Sequence, residues 1–271
     1  MTEPGRVVLV TGASSGIGKV SAQYLAARGW RVFAGARRPK VLRGSAGIEF
    51  LQLDVTDDAL AREAVETVLR RAGRIDGLVN NAGGSILGAV EETSLEQARA
   101  LFETNVLGVM RMSQAVLPAM RSQQFGRIVN ISSIVGFLPA PYMGVYAATK
   151  HALEGLSESL DHEVRAFGVR VMLVQPAFTR TNIDAASVRA ERPSEAYAAQ
   201  RERVLAVIGE QIARAPEATA VARTVERALG HPSFARFPVG FQARLLSRLR
   251  KIAPAQAIDR SIRKNFALDQ N

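Results

Sequence analysis

The 271-residue sequence has no cysteine. Disulfide frameworks, thiolate metal centres and cysteine nucleophiles are thereby excluded. It has only three histidines, His151, His162 and His231, so a histidine-rich metal site is not expected and no metal is assigned. No window approaches eighteen consecutive apolar residues, which argues against a membrane-spanning helix. The opening Met1-Thr2-Glu3-Pro4-Gly5 has no basic region ahead of an apolar run, so no secretory signal is expected. A cytoplasmic location is the resulting expectation.

What is present is the composition of a folded chain. Hydrophobic residues make up 47% and charged residues 22%, close to globular averages. A chain of this length suits one α/β domain or two small ones and can bury roughly 75% of the surface its unfolded form exposes. The formal net charge is +10, unevenly spread. Segment 231–271 holds Arg236, Arg244, Arg248, Arg250, Lys251, Arg260, Arg263 and Lys264 against Asp259 and Asp269. Nucleic acid, an anionic membrane or an acidic ligand could use such a tail, as could a solvated helical face. No nucleic-acid recognition motif accompanies it, so no nucleic-acid partner is expected.

Short Val/Ile/Leu-rich runs alternate with helical patterns through the first 180 residues. The runs are Arg6–Thr11, Arg31–Gly35, Glu49–Leu53, Gly77–Asn80, Arg127–Ser132 and Val169–Gln175; the helical patterns lie near Ile17–Arg28, Asp58–Arg71, Leu95–Arg121 and Val145–Phe167. Strands with so little polar alternation are buried on both faces, as in a parallel sheet. The rhythm predicts an α/β fold with a doubly wound parallel sheet of the Rossmann type. The last third reads as helices broken by prolines, with one further strand possible near Phe237–Val239. Residues 1–230 are expected to form the main body of the domain. Residues 231–271 read as a basic helical C-terminal extension of the same domain.

The first strand runs directly into Thr11-Gly12-Ala13-Ser14-Ser15-Gly16-Ile17-Gly18. Gly12 permits a tight turn, Gly16 lets the backbone approach a pyrophosphate, and Gly18 lets the following helix pack on the sheet. Ser14, Ser15 and Ile17 complete a helix N-terminus whose free N–H groups suit phosphates. The second strand lacks a carboxylate at its end and is followed by Arg37-Arg38. A guanidinium pair there suits a 2′-phosphate, so NADP(H) is expected over NAD(H).

Tyr146 and Lys150 sit four apart in a helical pattern and share one face. Ser133 lies just past a predicted strand end, where open α/β sheets place ligands. Asn80-Asn81-Ala82-Gly83 ends another strand, and Asn105 follows in a helix. The ordered set Thr11–Gly18, Asn80–Gly83, Asn105, Ser133, Tyr146, Lys150 and Pro176 resembles the short-chain dehydrogenase/reductase family, in particular NADP-preferring members like 17-beta-hydroxysteroid and retinol dehydrogenases. The resemblance covers about residues 6–182. It implies a sheet of about seven strands and a proton relay of Asn105, Ser133, Tyr146 and Lys150, with Lys150 on the nicotinamide ribose and Asn105 ordering a water. It further implies cofactor contacts from Asp54, Val55, Asn81, Ala82, Gly83, Pro176 and Thr179. It makes residues 1–230 the nucleotide-binding and catalytic part, with a substrate lid at about 183–211. Ala177 departs from the family's usual Pro-Gly.

The chemistry can also be stated from the residues. Carbonyl reduction needs a hydride donor, an acid and a group polarising the oxygen. Tyr146 would be the acid and Ser133 the hydrogen-bond donor. Bringing a phenol from about 10 to about 7 takes about 4 kcal/mol of preferential phenolate stabilisation, which Lys150 and an oxidised nicotinamide would share. Tyr142 has no lysine at its own fourth position and is expected to line the substrate pocket instead. Ser132 should face away from Ser133.

The resemblance implies that Phe137, Leu138, Pro139, Tyr142 and Met143 border the substrate, and their apolar character suggests a hydrophobic ketone or secondary alcohol, steroid- or retinoid-like rather than sugar-like. Relatives assemble through the helices Leu95–Arg121 and Val145–Phe167, so a homodimer or homotetramer is expected. In Phe241–Ile252, Phe241, Leu245, Leu246, Leu249 and Ile252 recur at helical spacing beside Arg244, Arg248 and Arg250. Packing on the domain is the favoured reading of that helix; peripheral membrane contact and capping of the substrate entrance are the alternatives. The overall expectation is an NADP(H)-dependent oxidoreductase, with a catalytically silent NADP(H)-binding regulator or sensor as its rival.

Overall fold

The computed structural model describes residues 5–39, 47–180 and 187–269. In chain order the elements are β1 (Val7–Thr11), α1 (Gly16–Ala26), β2 (Arg31–Ala36), β3 (Ile48–Gln52), α2 (Asp58–Ala72), β4 (Gly77–Asn80), β5 (Ile86–Leu87), α3 (Leu95–Phe102), α4 (Gly108–Ser122), β6 (Gly126–Ile131), α5 (Gly144–Val164), β7 (Val169–Pro176), β8 (Val188–Arg189), α6 (Ala198–Ala213), α7 (Thr219–Leu229), β9 (Ala235–Val239), α8 (Phe241–Ile252) and α9 (Ala255–Asn265).

Seven strands form one sheet in the order β3-β2-β1-β4-β6-β7-β9, every pairing parallel. Successive residues of a strand point to opposite faces. Val7 and Leu9 therefore join a core with Phe33, Leu78 and Ile128, while Val8 and Val10 join one with Val32, Val79 and Val129. Burial on both faces explains the unbroken apolar runs. The strand order reverses beside β1, and the carboxyl ends of β1 and β4 leave a crevice there, the usual ligand position of such sheets.

Local chemistry sets the helix ends. The Asp57 carboxylate accepts from the Ala59 and Leu60 amides at 2.8 and 2.9 Å, and Gly73 closes α2 in the left-handed region at φ 73°. Ser94 and Gln97 form a reciprocal capping box at the start of α3.

Three features differ from the sequence reading. The helix expected over Leu95–Arg121 is interrupted by a π-helical turn at Glu103–Leu107, which carries Asn105. One extra residue in a turn leaves the apolar spacing nearly intact, yet turns of this kind gather at functional sites. The strand considered near Phe237–Val239 is a full edge strand, β9, so segment 231–271 begins within the sheet. A small second sheet pairs β5 with β8 in parallel.

Of the lid expected at 183–211, residues 183–186 lie outside the described residues. The remainder runs through β8 and a 3₁₀ turn at Glu195–Tyr197 into α6. Glu92 ties it down: its carboxylate accepts from the Ser194 and Ala89 amides, both at 2.9 Å, and pairs with Arg201. Burial pushes the Glu92 carboxyl up, but the two amides and the Arg201 charge outweigh it and hold it below the ordinary range. Among the described residues no helix is long and apolar enough to cross a membrane.

Candidate active site

The crevice opens into a cleft of about 1200 Å³. Its first wall is the Gly-rich turn. Gly12 has φ +64°, and a Cβ there would stand 2.8 Å from the Ala82 Cα. Asn81 explains the close approach. Its side-chain amide donates to the Thr11 and Gly12 carbonyls at 3.0 and 3.1 Å, and Thr11 Oγ1 accepts from the amides of Asn81 and Ala82, both at 3.0 Å. The end of β4 thus clamps the turn. Gly18 is buried against Asn81 and the Gly12 carbonyl; it is a packing position and does not line the cleft, whereas Gly12, Ser14, Ser15, Gly16 and Ile17 do. No side chain caps α1, and its first turn has no acidic residue. The amides at its N-terminus therefore keep a partial positive charge toward the cleft.

Arg37 and Arg38 follow β2 on the cleft wall, exposed and without an ion-pair partner among the described residues. Asp54 and Val55 also line it. The Asp54 carboxylate accepts from the Thr56 amide and hydroxyl at 3.0 and 2.8 Å, while Asp57 serves as the helix cap.

At the cleft's other end stand Ser133, Tyr146 and Lys150. The two adjacent serines diverge. Ser132 Oγ is buried and donates to Glu154 Oε1 at 2.6 Å; Ser133 hydrogen-bonds Tyr146 and also accepts from the Val135 amide at 3.3 Å. Lys150 Nζ donates to the Ile131 carbonyl at 2.8 Å and lies 5.8 Å from the Tyr146 ring centroid. Burial pulls the Lys150 ammonium down to about 8, against the opposing pull of Glu154. Burial also pushes the Tyr146 phenol above its ordinary value, and the Ser133 hydrogen bond offsets only part of this. The protein by itself thus leaves the phenol above its ordinary value, and the acidification expected from Lys150 and an oxidised nicotinamide together needs the cofactor's charge as well.

Asn105 is buried and does not line the cleft. Its Oδ1 accepts from the Gly84 amide at 2.9 Å, and its Nδ2 donates to the Gly84 carbonyl and Thr149 Oγ1, both at 3.0 Å. The side chain thus ties the loop after β4 to α5. Gly83 and Ala82 sit on that loop along the cleft. Tyr142 is a second correction. Its backbone is left-handed at φ 59°, its hydroxyl donates to Gln200 at 2.8 Å, and it lines a separate shallow depression with Tyr197 and Gln200. Met143 takes the place in the cleft expected for it. Pro176 and Thr179 border the cleft, Thr179 donating to the Ala177 carbonyl at 3.1 Å.

The sequence reading missed Glu154, one helical turn after Lys150. Besides Ser132, its carboxylate accepts from Gln175 Nε2 and Arg236 Nε, each at 2.9 Å. It joins the strand ends that carry Ser133 and Pro176. The partners are 21, 22 and 82 residues away, so no local pattern announces them.

The burial of Lys150 has a measurable cost. With both states protonated below pH 8, the ammonium is destabilised in the folded protein. As pH rises from about 8 toward the unfolded value near 10.4, the folded state sheds its proton first and the penalty is relieved. Lys150→Met is therefore expected to stabilise the protein at pH 7 by about 2 kcal/mol, or roughly 5 °C in Tm, with the gain fading toward pH 10. Thermal melts of both proteins across that range check it, and a variant less stable at pH 7 would reverse the sign.

The short chain dehydrogenase family profile matches residues 6–192. A 3-ketodihydrosphingosine reductase from Bacteroides thetaiotaomicron is 45% identical over 171 residues, which is 63% of each chain; the match thus spans under two thirds of that relative. A crystal structure of a short-chain dehydrogenase from Streptomyces avermitilis superposes with TM-score 0.83 at 35% identity, covering 96% of this chain and 99% of that one. Two Burkholderia structures differ in cofactor: one from B. phymatum in complex with NAD (28% identity, TM-score 0.76, 92% and 94% covered) and one from B. cenocepacia in complex with NADP (26%, 0.77, 97% and 99%). With a parallel seven-stranded sheet, a Gly-rich turn at its reversal point and this match over most of its length, the chain belongs to the short-chain dehydrogenase family of nicotinamide-dependent oxidoreductases.

Proposed function

We propose that the protein transfers hydride between NADP(H) and a hydrophobic ketone or secondary alcohol, with Tyr146 as general acid/base. The observation that carries this reading is one cleft lined at one end by the Gly-rich turn and Arg37-Arg38 and at the other by Ser133, Tyr146 and Lys150. The residues fit a dinucleotide phosphate. The uncapped start of α1 and the close backbone at Gly12 suit the pyrophosphate, and two unpaired guanidiniums suit a 2′-phosphate. When bound, the cofactor supplies the hydride and, once oxidised, a positive ring.

Every other part of the chemistry belongs to this chain. Ser133 Oγ donates a hydrogen bond to the carbonyl oxygen, and Tyr146 Oη gives that oxygen its proton as the alkoxide develops. Lys150 Nζ commits one N–H to Ile131, which leaves two for the cleft and a positive charge beside the phenol. Burial keeps the Tyr146 phenol protonated, so it carries the proton that carbonyl reduction consumes.

Val135, Met143, Phe178, Ile208 and Ile212 line the tyrosine end of the cleft, an apolar wall matched to a hydrophobic substrate. The relative named as a 3-ketodihydrosphingosine reductase supports a ketone. A panel of long-chain, steroid-like and retinoid-like ketones with NADPH, followed at 340 nm, tests the reading; NADPH binding with no turnover on any of them would favour the sensor alternative. Half-exposed Leu107 and Met110 on the π turn and α4 support assembly through the α4–α5 side as a dimer or tetramer, and we place the enzyme in the cytoplasm.

Cofactor choice has its own test. Arg37→Ala/Arg38→Ala is expected to lower kcat/KM for NADPH by about 100-fold, two charge-assisted hydrogen-bonding groups at about 1.5 kcal/mol each, and to leave NADH within about threefold. Equal losses with both cofactors, or a wild-type preference for NADH, would remove the arginines from this role.

A further inference from the structure

The helix α8 turns its apolar residues outward. Phe241 and Ile252 are each 80% exposed, Leu245 44% and Leu249 41%. At 3.6 residues per turn these four lie within an arc of about 80°. The opposite side of the helix faces the protein: Ala243 is fully buried and Arg250 Nε donates to the Phe137 carbonyl at 3.2 Å. The helix is thus anchored with its stripe away from the body, contrary to the packing favoured from sequence. Arg244 and Arg248 are exposed along one flank of the stripe. α8 contains no acidic residue, and segment 231–271 holds eight basic side chains against two aspartates.

We propose that α8 docks this protein on an anionic phospholipid surface, the stripe entering the interface and the arginines meeting the headgroups. A helix with apolar residues on one side and basic residues beside them suits that plane, and basic residues near such a surface add attraction within a Debye length. Charge selects lipid over a second copy of the chain. Two α8 stripes placed face to face would bring Arg244 and Arg248 of both copies together with no carboxylate on either helix to answer them. The arrangement is independent of the catalytic reading, since α8 contributes no residue to the cleft.

Vesicle co-sedimentation of the full chain tests this, with phosphatidylcholine alone and with about 30% phosphatidylglycerol added, at about 0.1 M salt. Wild type is expected to bind the anionic vesicles at least about tenfold more tightly than the neutral ones. Phe241→Ser/Leu245→Ser and Arg244→Gln/Arg248→Gln should each weaken that binding about tenfold. Their unchanged thermal melts would show that folding is intact. Equal or absent binding to the two vesicle types overturns the proposal. So does a wild-type dimer in light scattering that becomes monomeric in the Phe241/Leu245 variant, which would assign the stripe to self-association.

Discussion

Tyr146→Phe should lower kcat for ketone reduction by about a thousandfold, within the range that general acid catalysis supplies, while NADPH affinity stays within about threefold. The substitution removes one oxygen and leaves the half-buried ring, so the cleft keeps its shape. The substrate oxygen loses its proton donor but keeps the Ser133 hydroxyl. Because the loss falls on a group acting in the transition state, kcat should carry it and KM should change little. Stopped-flow turnover together with fluorescence titration of NADPH separates the two effects. Residual activity within tenfold of wild type would transfer the acid's role to another group, and Tyr142 is badly placed to take it, since its hydroxyl is committed to Gln200.

Asp161→Ala is expected to cost about 4 kcal/mol of folding stability, a large share of a typical 5–15 kcal/mol total. Asp161 is fully buried. Its carboxylate accepts from Arg170 Nε and the Val171 amide, both at 2.9 Å, and from a second Arg170 nitrogen at 2.8 Å. Alanine strands a mostly buried guanidinium and a buried amide together. Burial pushes the Asp161 carboxyl up, but the Arg170 hydrogen bonds, the Val171 amide and the nearby arginines outweigh it and hold it below its ordinary value. A depressed folded-state pKa contributes stability above the unfolded value near 3.9, and that contribution is lost as pH falls through the folded value. The gap between wild type and variant should therefore be constant from pH 5 to about 8 and close below about pH 4. Urea melts at each pH measure it; a gap under about 1 kcal/mol at pH 7 would show that the pair stabilises far less than its geometry implies.

The strands were legible because burial on both faces imposes a simple pattern. Gly77–Asn80 is found with the bounds read from sequence, and Val7–Thr11 within one residue. The Gly-rich turn and the Tyr146/Lys150 pair are local in sequence, so they too could be read directly. What escaped is non-local or conformational. Glu154 acquires its role only when β6, β7 and β9 come together around it. The π turn hides inside a helical periodicity. Tyr142 lies four residues before Tyr146, but a positive φ aims its ring away from the cleft, and spacing carries no trace of that. The direction in which the Tyr146 phenol shifts depends on solvent exclusion, which is a property of the assembled cleft.

The edge strand β9 bears on biosynthesis. It pairs with β7 in register from Met172↔Ala235 to Pro176↔Val239, and β7 is almost wholly buried. Until residues 235–239 have left the ribosome, β7 exposes an unpaired hydrogen-bonding edge of Val, Met and Leu, a template for pairing with other nascent chains. Once β9 is in place the new edge carries Arg236 and Pro238, and a proline cannot donate to an added strand. β9, the last strand among the described residues, therefore closes this edge of the sheet against aggregation, and the chain's dependence on chaperones should be greatest just before it emerges.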